Sequence, residues 1–232
     1  MNFIDSILTP ILIWLPGAFF GIVIALAVLF YFLILKNPES PRPYFKWLAW
    51  WTIGFKFFYA AILTIGQYYL WSGDRFGRLF LNQPLKVPSG VSLFEHLPLF
   101  SDSKLGYFLF YSWGHFWLNA LVSIALAFAL WFFLKMLQKK EVQFFYPGET
   151  ELGLVLALAV GWPNFIVFIP ITFLMVILVS LFRMTFIKEA YTTLGWPLIL
   201  AAIIAFAFGQ VIIGNLNLEF LKISLLSNSL LG

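Results

Sequence analysis

The chain alternates long apolar blocks with short polar runs. The first block extends from Gly17 to Leu35 and stops at Lys36 and the breaker run Asn37-Pro38-Glu39-Ser40-Pro41-Arg42-Pro43. A second extends from Trp47 to Trp71, with Trp47, Trp50, Trp51, Tyr68, Tyr69 and Trp71 at its ends as candidate membrane-interface anchors. A third, over 107–134 within Leu105 to Leu134, is closed by Lys135, Lys139 and Lys140. The apolar residues fill these blocks instead of recurring every 3.6 residues, so no polar face remains to meet water. Blocks of this length match a hydrocarbon core of about 30 Å. In hydrocarbon every backbone group must bond internally, so these blocks predict helices and not barrel strands.

The pattern changes after the third block. Leu152 to Val160 is apolar but too short to cross a bilayer at about 1.5 Å per residue. Gly161-Trp162-Pro163-Asn164 breaks it, and Phe165 to Phe182 continues with Pro170 inside. This predicts a short helix over 152–161, a tight turn and a kinked span over 165–182. Arg183 to Thr193 reads as a polar connection, 197–214 as the last span, and the tail from Asn215 as interfacial. The opening residues MNFIDSILTPILIWLP lack the positive n-region and cleavage site of a signal peptide, so they are expected to be a retained interfacial lead-in. The expected fold is therefore all-α: a single polytopic transmembrane domain over 1–232 of about six hydrophobic helices, with a Gly/Pro-punctuated loop at 73–104.

Composition agrees with this reading. Charged residues make up 10% of the chain and hydrophobic ones 62%, whereas a soluble domain carries about 25% charged residues. Cysteine is absent, which excludes disulfides and thiolate chemistry. The net charge of +4 is spread over membrane-flanking segments and forms no cluster able to track phosphates, so nucleic acid is not an expected partner. Lys36, Arg42, Lys46, Lys135, Lys139, Lys140, Arg183 and Lys188 collect on one side of the six-segment arrangement. Arg75, Arg78, Lys86, Lys104 and Lys222 fall on the other. Short loops rich in Lys and Arg stay cytoplasmic, which predicts an inner-membrane protein with both termini and the 73–104 loop outside.

Polar groups within or beside the spans are the candidates for chemistry, because hydrocarbon makes them expensive. Lys56 lies within the second span, either snorkelling to the headgroups or pairing with an anion. His115 and Asn119 stand at i and i+4 on the third span, consistent with an interhelical hydrogen bond or a polar pocket. No further histidine or glutamate pair accompanies them in the spans, and His96 sits in the loop, so neither a metal site nor any other cofactor is expected. Tyr146-Pro147-Gly148-Glu149-Thr150-Glu151 precedes the short helix. There, Gly and Pro are expected to turn the chain, Thr150 to cap, and the two acids to favour the helix N-terminus.

From Trp113 onward the chain resembles the C-terminal half of the type IV prepilin peptidases, the GxGD-type membrane aspartic proteases. The resemblance covers about 120 residues and is carried by order and punctuation. A hydrophobic helix ends in basic residues at Phe132 to Lys140, and Tyr146-Pro147-Gly148-Glu149 stands where that family has GxGD. There follow Leu152 to Val160, the Gly161-Trp162-Pro163 break, Phe165 to Phe182, and Leu194-Gly195-Trp196-Pro197 in place of an FGP-like turn. By this resemblance Glu149 is the candidate catalytic acid, with Asp74 or Glu151 as its only candidate partners. Glutamate replaces the family's aspartate, Glu151 replaces a lysine, and no second aspartate precedes an Ile-Pro step. Aspartic proteolysis needs two carboxylates sharing one proton. The resemblance therefore implies a non-catalytic scaffold or partner of another membrane or pilus-assembly component. A divergent peptidase and a small lipid-handling or transport protein are the alternatives. Besides the bilayer, the loop residues Phe76, Phe80, Leu93, Phe94, Leu97 and Phe100 offer a face for another membrane protein.

Overall fold

A computed structural model describes residues 3–36, 42–84, 103–140, 145–188 and 193–218. These are helical throughout apart from turns, and no strand occurs among them. The helices are α1 (Phe3–Lys36), α2 (Arg42–Gly73), α3 (Arg75–Leu81), α4 (Gly106–Lys140), α5 (Glu149–Val160), α6 (Phe165–Phe182) and α7 (Gly195–Asn215). Five of them hold stretches long and apolar enough to cross a membrane: α1, α2, α4, α6 and α7. Their outward surfaces carry Leu29, Phe132, Phe173 and Ile177, each more than half exposed. A water-soluble protein cannot hold that much large apolar surface open, and a multi-pass membrane protein must.

Three segments differ from the sequence reading. The N-terminal lead-in belongs to one continuous helix with the first span, since α1 begins at Phe3. The 73–104 segment is not loop throughout, because Arg75–Leu81 is helical. Asp74 nucleates that turn by accepting the Gly77 N–H at 3.2 Å, one of the otherwise orphaned donors of a helix start. The connection expected from Arg183 instead continues α6 by a π turn, Arg183–Ile187, and helical backbone gives way only at Lys188, with φ 57°. His96, Leu93, Phe94, Leu97, Phe100, Lys86 and Lys222 lie outside the described residues.

The described residues form two compact units. In the unit of residues 56–121, Trp71 gathers Phe80, Tyr107, Phe108 and Tyr111 around it at centroid distances of 5.0–6.2 Å. The Trp117 indole N–H donates to Thr64 Oγ1 at 3.0 Å, joining α2 to α4. Gly77 is required where α3 turns back on α2, because a Cβ there would lie 2.5 Å from the Trp71 carbonyl oxygen.

The other unit, residues 1–55 and 122–222, is organised around α5. Twelve residues of helix rise about 18 Å, too little to cross the hydrocarbon. From Leu152 to Val160 every residue is buried, with Leu152, Val155, Leu156, Ala157 and Leu158 fully so. A helix apolar on all sides is stable only when enclosed. Leu134 of α4 and Leu198 of α7 both reach the backbone of α5 at Gly153. Beyond α5, the Trp162 N–H donates to the buried Ser123 hydroxyl of α4 at 2.9 Å, so the break is tied to a neighbour. Asn164 accepts the Gln210 side-chain amide at 3.0 Å, and α7 approaches it at Gly209.

At Gly209 a Cβ would lie 2.7 Å from the Asn164 side chain, whereas at Gly214 of the same helix it would meet nothing within 4 Å. Gly209→Ala is expected to cost about 1–3 kcal/mol by overpacking. The apparent Tm of the detergent-solubilised protein should then fall by several degrees, while Gly214→Ala leaves it unchanged or slightly raised.

Candidate functional site

The sequence Tyr146-Pro147-Gly148-Glu149 makes a tight turn into α5, with the Glu149 N–H bonding the Tyr146 carbonyl at 3.2 Å. Gly148 takes φ +93°, a left-handed conformation that side-chain-bearing residues rarely adopt, and it packs against Ile34 and Phe45. Thr150 does not cap α5, because its hydroxyl donates to Glu151 Oε2 at 2.7 Å. No side chain caps α5, whose N-cap is Gly148; the Glu149 carboxylate instead folds back over the preceding turn to accept the Tyr146 N–H at 3.0 Å through Oε2.

The Glu149 side chain is fully buried. Its Oε1 accepts the Tyr31 hydroxyl of α1 at 2.8 Å and the Gly195 N–H of α7 at 2.9 Å. Its Oε2 accepts the Leu194 N–H at 3.2 Å in addition to that of Tyr146. The start of α7 and the turn leading into α5 thus converge on one carboxylate, which satisfies N–H donors of both and lies at the positive ends of the two helix dipoles. Gly195 is required there because a Cβ would overlap the Tyr31 ring. Burial raises the Glu149 carboxyl above the ordinary glutamate value, opposed by hydrogen bonds from Tyr146, Tyr31, Gly195 and Thr193.

Glu151 is two residues further along the helix and serves a separate interaction. Its Oε1 pairs with Lys135 Nζ of α4 at 2.8 Å, and the same ammonium lies 5.8 Å from the centre of the Trp131 ring. Burial alone would raise the Glu151 carboxyl, but hydrogen bonds from Lys135 and Thr150 outweigh it and hold it below the ordinary value. Asp74, the other candidate partner of Glu149, belongs to the other unit and is engaged in capping α3. No carboxylate is therefore among the hydrogen-bond partners of Glu149 given by the described residues.

Of the intramembrane polar residues, Lys56 is 9% exposed within α2. His115 falls inside a π turn of α4, Trp113–Trp117, where the Leu118 N–H reaches back to the Trp113 carbonyl. It stacks on Tyr111 with centroids 4.5 Å apart, and its buried Nδ1 has no hydrogen-bond partner among the described residues. Asn119 follows in the regular helix beyond that turn. No group of three His, Asp or Glu side chains placed to hold a metal ion occurs among the described residues.

Sequence reasoning did not single out Tyr31. The available signal was a hydroxyl in the middle of an apolar span, since a buried tyrosine hydroxyl needs a partner. No protein family matches the sequence, and neither a curated protein nor a solved structure matches it.

In Glu149→Gln one carboxylate oxygen becomes an amide that faces two donors, leaving them unpaired. The expected cost is about 2–4 kcal/mol, against about 1–2 kcal/mol for Tyr31→Phe. Thermal unfolding in detergent should rank them in that order. For Glu151, a lowered pKa means stability that is present above the ordinary glutamate range and lost as pH falls through the lowered value. Lys135→Met should remove about 1 kcal/mol at neutral pH and flatten that acid limb, read as apparent Tm against pH.

Proposed function

We propose that this chain is a non-catalytic, prepilin-peptidase-like multi-pass membrane protein that acts as a scaffold or partner for another membrane component. The observation that carries this reading is the occupancy of Glu149. Activating water would require an oxygen open to that water and a second carboxylate to share the proton. Each Glu149 oxygen already accepts two donors from the chain itself, which fills the roughly four acceptor positions of a carboxylate. Glu151 is neutralised by Lys135 and cannot serve as the missing acid without breaking that pair. The position that carries a catalytic acid in peptidases of this kind is, on this reading, a structural junction.

The partner-binding face proposed is the 73–104 segment. Its helix α3 exposes Phe76 (73%), Leu79 (61%) and Phe80 (44%), an apolar surface suited to a partner's transmembrane or interfacial helix. With the excess of Lys and Arg at the ends of α1, α4 and α6 facing the cytoplasm, this segment and both termini lie outside an inner membrane, an arrangement in which α5 and α6 enter and leave the membrane from the same side.

Co-expression with a prepilin-like substrate tests the catalytic half of the proposal. The wild-type chain should leave the substrate intact, and so should Glu149→Asp. Cleavage by the wild type that is abolished in Glu149→Gln recovered as a folded protein would establish a divergent peptidase instead. The natural absence of cysteine makes orientation directly measurable. A membrane-impermeant maleimide should label Lys104→Cys in intact cells and Lys140→Cys only after lysis, and the reverse pattern overturns the topology.

A further inference from the structure

Within the unit built around α5, helix α7 carries one polar side chain on an otherwise apolar outward stripe. Leu200, Ile203, Ala207 and Gln210 are exposed along it, and at Gly214 a Cβ would meet nothing within 4 Å. The spacing 200, 203, 207, 210, 214 alternates three and four, which is the repeat of a coiled-coil seam. Along one row of that seam the residues shrink from Leu200 to Ala207 to Gly214, and Gln210 stands between the two smallest.

The Gln210 carboxamide is held within the span and does not trail out toward water. Its Nε2 donates to Asn164 Oδ1 at 3.0 Å, in the break that follows α5. Helical side chains lean toward the N-terminus of their own helix, and in α7 that is the end gathered on Glu149. Gln210 therefore leans inward, away from the other end at Asn215. It stands about 22 Å from Gly195 along a span of about 31 Å. One donated N–H leaves the second N–H of Gln210, its Oε1 and the Asn164 Nδ2 group without a hydrogen bond among the described residues. Hydrocarbon offers such groups nothing.

We propose that α7 is the interface of a homodimer, lying against the α7 of a second copy of this chain around a two-fold axis along the membrane normal. Symmetry and hydrogen-bond chemistry select that occupant. Around such an axis the two helices run parallel, so each seam position meets its own copy. A carboxamide holds a donor and an acceptor in one group and is its own complement. Two Gln210 side chains can thus exchange two hydrogen bonds, each keeping its other N–H on Asn164 of its own chain. Small residues on either side, Ala207 and Gly214, allow the close backbone approach that membrane helix pairs use. A phospholipid ester accepts from the N–H groups but has no donor for Oε1. The inference does not rest on Glu149 or on the non-catalytic reading.

The chain has no native cysteine, so a single introduced one reports contact. A disulfide forms only where two Cα atoms come within about 7 Å. In native membranes treated with copper phenanthroline, Ala207→Cys should give a disulfide-linked dimer. Ile177→Cys, on the exposed side of α6, should not. Adding Gln210→Leu to Ala207→Cys should lower the cross-linked fraction about five-fold. Adding Gly214→Phe should abolish it by holding the helices apart. Gly214 has none of its own chain around it, so this variant keeps the test decisive even if Gln210→Leu, which also loses the Asn164 bond, fails to fold. Equal cross-linking at residues 207 and 177, or none at either, would overturn the proposal. So would a dimer that neither Gln210→Leu nor Gly214→Phe weakens. An adduct between Ala207→Cys and a different protein would assign the seam to another membrane component and overturn the second copy.

Discussion

The arrangement of α1, α5 and α7 depends on one buried carboxylate. Three backbone N–H groups and a phenol, drawn from α1, the start of α7 and the turn before α5, converge on the two oxygens of Glu149. Without a partner, the start of α7 and the turn before α5 would each leave donors unpaired, at a cost of about 1–3 kcal/mol per buried group. One acid serves both. Its own burial is tolerable because it faces only donors and two positive helix ends.

This junction accounts for the placement of α5. A twelve-residue helix cannot reach across the bilayer, so it must end inside the protein with both termini satisfied by neighbours. Glu149 ties down the turn before the first end. Ser123 receives the Trp162 N–H just past the second. Between them the helix is enclosed so completely that Gly153 contacts Leu134 and Leu198 at its backbone. The polar groups of this unit are thus concentrated at the ends of an apolar core, and the ion pair Lys135–Glu151 joins the same end from α4.

The chemistry open to the site follows from that saturation. A carboxylate can be a base or a nucleophile only if a lone pair remains for water or substrate. In Glu149 the lone pairs hold helices together. Where the protein does leave capacity unused is on its surfaces, in the exposed apolar side of α3 and in the amide pair of Asn164 and Gln210 beside the outward stripe of α7.

How much of this was legible in the sequence depends on the range of the interaction. The all-α membrane class followed from the apolar blocks alone, because only helices or closed barrels satisfy their backbone in hydrocarbon. The short helix and the Gly161-Trp162-Pro163-Asn164 break were marked by length and by residues that stop helices. Local pattern missed the helix at 75–81 and the extension of α6 through Ile187, since seven residues with two arginines, or a π turn, carry no distinctive period. It also credited Thr150 with a cap that no side chain provides: the N-cap of α5 is Gly148, and the Thr150 hydroxyl donates to Glu151. The partners of Glu149 could not be read at all: Tyr31 is 118 residues away and Gly195 is 46. The sequence by itself determined which segments must leave water and where they must break, because those are properties of continuous stretches. Only the tertiary structure decided that Glu149 is a junction between helices, because the meaning of a buried charge lies in the donors that surround it.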